Sequence, residues 1–205
     1  MLKIGIINCG ISNLTSVKNA FDFLSIPVEV INASSDLENC SHIVLPGVGA
    51  FPKGINNLKT NGFDEAIKIQ LKKGKPLLGI CLGMQMLAME GEEFTQTQGL
   101  ALIPGKVTKI EVASPTLRLP HVGWNNVSFV NSCPLWKSIP DHSTFYFVHT
   151  YAFSNLSRQY IAGETEYSSK IISAVFRDNV YGVQFHPEKS QKAGLQLLKN
   201  FASLC

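Results

Sequence analysis

Short, largely apolar runs alternate with runs whose apolar residues recur every three or four places, and this alternation governs the first half of the chain. A strand can carry apolar side chains on both faces only where layers cover both sides, as in a parallel sheet flanked by helices. The strand-like runs are Leu2 to Asn8, Val28 to Ile31, His42 to Leu45 and Pro76 to Ile80. Between the first two, Leu14, Val17, Ala20, Phe21 and Leu24 keep helical spacing until Pro27 stops it. Gly10 offers the preceding turn, and Ser12 or Asn13 the N-cap. Phe63, Ala66, Ile67 and Leu71 mark another helix closed by Gly74, and Met84, Leu87 and Ala88 continue a third beyond Cys81.

The second half changes character. Val107 to Val112, Trp124 to Val130, Phe145 to His149, Tyr160 to Glu164, Ile171 to Phe176 and Val180 to Phe185 read as strands with short links. The segments around Val107 and Ile110 and from Asn125 to Phe129 partly alternate in polarity, as antiparallel strands do, and a last helix runs from Ala193 to Phe201. The expected fold is therefore α/β: an open, mostly parallel central sheet with helices on both faces and an antiparallel β-rich extension. No repeat, linker or low-complexity tract divides the 205 residues, so residues 1–205 are read as one domain.

Composition removes several classes of function. Hydrophobic residues are 45% and charged residues 16%, which excludes a disordered chain. A formal charge of +3 is too mild and scattered to suggest nucleic acid, and no apolar run is long enough to span a bilayer. The N-terminal Met1 to Ile7 lacks a signal-peptide pattern, and the cysteines (Cys9, Cys40, Cys81, Cys133, Cys205) are odd in number with no CxxC pair. These features suggest reduced thiols in a cytoplasmic protein without membrane contact, metal or cofactor.

Three segments carry chemistry. Gly79-Ile80-Cys81-Leu82-Gly83 has the G-x-nucleophile-x-G form between an expected strand and an expected helix. Such a turn pushes the central side chain out above the sheet edge, where a helix N-terminus favours a thiolate. A buried, inert core thiol is the plain alternative. Gly182-Val183-Gln184-Phe185-His186-Pro187-Glu188 sets a histidine at a strand end, two residues before a carboxylate that can fix its tautomer. Pro46-Gly47-Val48-Gly49-Ala50-Phe51 offers glycines that can turn an N–H toward an oxyanion, though alone it is only a glycine turn. All three fall at the carboxyl edge of the expected parallel sheet, where open α/β folds bind ligands.

Together these segments resemble the triad (class I) glutamine amidotransferases, and the resemblance runs from about Ile4 to Phe201. Leu119-Pro-His-Val-Gly-Trp-Asn125 and Tyr146-Phe-Val-His-Thr-Tyr151 are similar to segments particular to the glutaminase (HisH) subunits of imidazole glycerol phosphate synthase. The resemblance implies hydrolysis of glutamine to glutamate and ammonia, with Cys81 forming a thioester, His186 as acid and base, and Glu188 orienting it. It further implies an oxyanion hole from Leu82 and the Gly47-Val48-Gly49 loop, and substrate contacts from Gln85 and Glu93. Ammonia would pass to a (β/α)8 cyclase (HisF-like) in a heterodimer, giving imidazole glycerol phosphate and aminoimidazole carboxamide ribotide. Pro120, His121, Trp124, Tyr146 and Lys189 match positions facing that partner.

The chain departs from the family at Asn8-Cys9-Gly10-Ile11-Ser12-Asn13-Leu14, where the family usually reads Asp-Tyr-Gly and then Gly-Asn-Leu. A paralogous glutaminase subunit feeding surface-sugar synthesis shares the active-site blocks. A γ-glutamyl hydrolase would share the cysteine turn without needing Leu119 to Asn125. An inactive scaffold subunit is opposed by the complete Cys81, His186 and Glu188 set.

Overall fold

The computed structural model describes residues 2–10, 13–113 and 117–204. Its strands are β1 (Ile4–Ile7), β2 (Val28–Ile31), β3 (His42–Gly47), β4 (Leu77–Cys81), β5 (Glu90–Gly91), β6 (Thr97–Gln98) and β7 (Lys106–Lys109). They continue as β8 (His121–Phe129), β9 (Ser143–His149), β10 (Tyr151–Ser154), β11 (Ile161–Tyr167), β12 (Ser169–Arg177) and β13 (Val180–Val183). The helices are α1 (Leu14–Phe23), α2 (Phe51–Thr60), α3 (Phe63–Lys72), α4 (Leu82–Met86) and α5 (Gln191–Ala202).

Strands β2, β1, β3, β4 and β13 lie side by side in that order, each parallel to its neighbours. Beyond β13 the sheet turns antiparallel through β12, β10 and β7. Strand β11 branches from β12 to carry the long β8–β9 hairpin. Alternating side chains fill two apolar layers. Ile4, Ile6, Val44 and Ile80 pack with Val17 and Phe21 of α1 and Leu197 and Phe201 of α5. Ile43, Leu45 and Leu77 pack with Phe51 and Leu58 of α2 and Phe63 and Ile67 of α3. The expected two-sided cover of the parallel strands is present.

The differences from the sequence reading have local causes. Helix α2 carries a weak sequence signal because Asn56, Asn57 and Gly54 are poor helix formers, yet Phe51, Gly54, Ile55 and Leu58 form its buried stripe. Helix α4 stops at Met86, short of the expected Leu87 and Ala88, because the chain turns there to reach β5. Strand β7 ends at Lys109 rather than Val112, and β10 takes up the segment after His149. Asn13 caps α1 by accepting from the Ser16 N–H at 3.4 Å, while Ser12 lies outside the described residues. Among the described residues no helix is long and apolar enough to cross a membrane.

Because β3, β4 and β13 are adjacent and parallel, their carboxyl ends emerge together. Gly47 pairs directly with Cys81, and Val183 with Ile80. The three motifs are thereby delivered to one edge of the sheet.

Candidate active site

The turn from β4 into α4 passes through Cys81, whose φ of 55° and ψ of −111° lie in territory that side chains other than glycine rarely occupy. The flanking glycines make it buildable. A Cβ on Gly79 would meet the Gly83 backbone at 2.7 Å, and one on Gly83 would lie 1.7 Å from the Leu45 carbonyl oxygen. Both are required by close backbone approach, the reason the motif carries them. The Cys81 thiol donates to the Val148 carbonyl at 3.9 Å and receives the Gln184 amide at 3.8 Å. Gln184 was not singled out by the sequence, although it sits in the His-Pro-Glu segment.

His186 follows β13 and is buried, and its Nδ1 meets Glu188 Oε1 at 2.8 Å. A single turn of 3-10 helix at Pro187–Lys189 brings the carboxylate back beneath the ring. Ser190 fixes this turn, its hydroxyl donating to the His186 carbonyl at 2.6 Å and accepting from the Tyr146 N–H at 3.0 Å. The imidazole's other nitrogen, Nε2, makes no hydrogen bond of normal geometry. His186 and Cys81 line the same cavity.

Burial opposes a charge on the ring, but Cys81 and Glu188 outweigh it and hold the His186 pKa up to about 10. A folded-state pKa raised above its ordinary 6.5 contributes stability that is complete below pH 6.5 and is lost as pH climbs through about 10. The stability gap between wild type and Glu188→Gln should therefore be widest near pH 6 and shrink toward pH 10.5. Thermal melts of both proteins across that range check this, and a gap independent of pH would separate Glu188 from the imidazolium.

A cavity of about 290 Å³ opens beside the thiol, below the ~300–1,000 Å³ of drug-sized pockets and suited to an amino acid. Of the residues expected there, it gathers Cys81, His186, Val48, Gly49, Leu82, Gln85 and Glu93. Gly47 does not line it. Its role differs from the expected backbone freedom: only Gly49 has a left-handed φ, of +100°, whereas a Cβ on Gly47 would crowd Leu82 Cβ at 3.0 Å. Gln85 is buried, and its amide nitrogen donates to the Tyr151 carbonyl at 2.9 Å and to Gln184 at 3.1 Å. Glu93 accepts the Phe51 N–H at 2.7 Å, capping α2 with one oxygen. Val148 to Tyr151 also line the cavity, an addition to the site expected from the sequence. Among the described residues no cluster of three or more His, Cys, Asp or Glu side chains could hold a metal.

Trp124 is exposed and packs edge-on to Tyr146 at 5.9 Å, Lys189 Nζ lies 5.6 Å over the Tyr146 ring, and that ring is 6.4 Å from the His186 ring. Pro120 is exposed at the start of the same hairpin. His121 departs from the expected outward-facing set: it is 3% exposed. In β8 the pleat sends Val122 and Trp124 outward and His121, Asn125 and Val127 toward the interior.

The family described as "Glutamine amidotransferase class-I" matches residues 5–204. "Imidazole glycerol phosphate synthase subunit HisH" of Moorella thermoacetica is 42% identical over 204 residues, covering all of this chain and 96% of that protein. The protein of the same description from Chlorobaculum tepidum is 43% identical over 194 residues, covering 94% of this chain and 96% of its own length. Among solved structures, PurLQS from Thermotoga maritima aligns with a TM-score of 0.76 at 16% identity, over 98% of this chain and 97% of that one. That last likeness concerns the fold alone.

Proposed function

The chain belongs to the class I glutamine amidotransferases, among the HisH glutaminase subunits of imidazole glycerol phosphate synthase in histidine biosynthesis, and from that premise we propose that Cys81, His186 and Glu188 carry its chemistry. The observation that supports this most is the shared cavity: a thiol on a strained turn and an imidazole clamped by a buried carboxylate line the same space.

The Cys81 thiolate attacks the side-chain amide carbon of glutamine, forming a C–S bond while the carbonyl electrons move onto oxygen. Backbone N–H groups of Leu82 and of the Gly47 to Gly49 loop stabilise that oxyanion. Charged His186 gives its Nε2 proton to the amide nitrogen, the C–N bond breaks, and ammonia leaves behind a thioester. Water then attacks the thioester as His186 takes its proton. Glutamate departs and the thiolate returns. Glu188 holds Nδ1–H throughout and keeps Nε2 aimed at the reacting groups. Gln85 and Glu93 hold the polar ends of the substrate.

A subunit has a partner. We take it to be a (β/α)8 cyclase that receives the ammonia in a heterodimer, docking on Pro120, Trp124, Tyr146 and Lys189. We further take the complex to work in the cytoplasm, consistent with the free thiols of Cys40, Cys81 and Cys133. Ammonia released without an acceptor wastes glutamine, so the isolated chain should be slow and the docked, ligand-bound complex fast. The Val48 peptide, next to left-handed Gly49, is suited to a flip that completes the oxyanion hole. One such donor is worth roughly 3 kcal/mol, about a hundredfold or more in rate.

The test is glutamate release by the chain alone, with the cyclase, and with cyclase plus its ligand, together with restoration of histidine-independent growth to a strain lacking the subunit. Lys189→Glu should lower the activated rate more than the basal one, because Lys189 directly follows Glu188 and packs on Tyr146. Full activity of the lone wild-type chain, unchanged by the cyclase, would sink the coupling.

A further inference from the structure

Two buried histidines lie beside the cavity and take no part in the chemistry above. His121 and His149 are directly opposite one another across the β8–β9 hairpin, and both point inward. His121 Nδ1 and His149 Nε2 are 3.0 Å apart, and His149 Nδ1 is 2.8 Å from the Tyr151 carbonyl. A carbonyl oxygen only accepts, so His149 carries its proton on Nδ1 and its Nε2 accepts from His121 Nδ1–H. His121 Nε2 then accepts from the Asn125 amide at 3.4 Å, and the same amide donates to the Glu166 carbonyl. Every nitrogen of the pair has one role, provided both rings are neutral. Burial supplies that condition by pushing both pKa values down to about 4, and the nearby His186 further disfavours a charge on His149.

The position of this chain of bonds suggests its use. His149 lines the cavity, and the Tyr151 carbonyl it holds is also the acceptor for Gln85. The neighbouring Val148 turns its side chain to the outer face while its carbonyl receives the Cys81 thiol. At the other end, His121 is stacked between Tyr167 at 4.0 Å and Phe147 at 4.8 Å, on a strand whose outer face carries Val122 and Trp124. One strand pair therefore presents an exposed surface on one side and a pocket wall on the other.

Resting on the glutaminase reading, we propose that His121 and His149 are positioning residues of the glutamine pocket, holding the bend between β9 and β10 at the distance from Cys81 that glutamine requires. A pair that merely filled space would be replaceable by any ring of similar size. A positioning pair needs the hydrogen bond.

The experiment compares His121→Phe, which keeps the stacked ring and removes the donor, with His121→Asn, whose amide nitrogen can stand near the lost Nδ1. Leaving a buried acceptor without its donor should raise KM for glutamine about tenfold in His121→Phe, with a smaller fall in kcat. Labelling of Cys81 by a diazoketone analogue of glutamine should weaken in parallel, while alkylation by iodoacetamide, which uses no glutamine contacts, should stay within about twofold. His121→Asn should recover most of the KM. If His121→Phe does not fold, Asn125→Leu takes its place, freeing His121 Nε2 at a site away from the cavity, with the same direction expected. Unchanged KM and unchanged analogue labelling in a folded variant would overturn the proposal. Wild-type Cys81 that ignores the analogue would instead overturn the glutaminase reading, and this inference with it.

Discussion

Cys81→Ser should abolish glutamine hydrolysis, with a loss of at least about a thousandfold in kcat/KM, while the protein still melts cooperatively near the wild-type temperature. Serine is nearly isosteric with cysteine and keeps the strained turn, but its hydroxyl ionises far less readily and the site supplies no stronger base than His186. The complex should still form its product when ammonia is supplied directly, because the lost step is only the release of ammonia. The other thiols serve as controls. Cys133 sits in the apolar layer against Trp136, where burial drives its pKa to about 12, and burial also raises that of Cys40. Thiols so protonated are poor nucleophiles, and Cys9 is buried outside the cavity, so alanine at Cys9, Cys40 or Cys133 should lower stability without comparable loss of turnover. The same tolerance is expected at Cys205, which lies outside the described residues. Steady-state glutamate release and mass spectrometry after analogue labelling check both statements. Glutamine turnover by folded Cys81→Ser protein would remove Cys81 from the mechanism.

What could be read from the sequence was whatever a short stretch decides by itself. The strand–turn–helix at Cys81 needs two glycines at fixed offsets, and the His186–Glu188 pair needs only a three-residue turn, so both are visible in order. Parallel strands covered on both faces also announce themselves, since β3 and β4 are buried at every position. The far wall of the pocket had no such local mark. Val148 to Tyr151 reach Cys81 from a sequence distance of about seventy residues, brought there by the pairing of β10 with β7 and β12 and by the His186 N–H donating to the Tyr146 carbonyl of β9. The burial of His121 is hidden in the sequence for a different reason: motif resemblance marks a segment, whereas the pleat assigns alternate residues to opposite faces. The inward series His121, Asn125 and Val127 against outward Val122 and Trp124 was legible by period two, had the strand been started at His121 rather than Trp124.

Gly83→Ala should destabilise the chain by roughly 3–5 kcal/mol, and the melting temperature should fall by roughly 10 °C or more. The added Cβ would sit 1.7 Å from the Leu45 carbonyl oxygen and 2.8 Å from its carbon, so backbone must move rather than a side chain rotate. Leu45 cannot retreat easily. It belongs to β3, hydrogen-bonded between β1 and β4, and its side chain is fully buried in the layer shared with α2 and α3. Helix α4 cannot retreat either, because Gly79 already lies against the Gly83 backbone and Met84 N at 2.7 Å from a would-be Cβ. Gly74→Ala is the contrast: nothing lies within 4 Å there and only its left-handed φ of +85° resists a side chain, at about 1–2 kcal/mol. Equal melting temperatures for the two variants would refute the close approach of α4 to β3. The activity of whatever Gly83→Ala protein folds should also fall, since relief of the clash must shift Leu82 relative to Gly47. Gly47 is the strand partner of Cys81 and Leu82 its chain neighbour, so the contact that makes glycine obligatory at position 83 also sets the spacing between the proposed nucleophile and the proposed oxyanion donors.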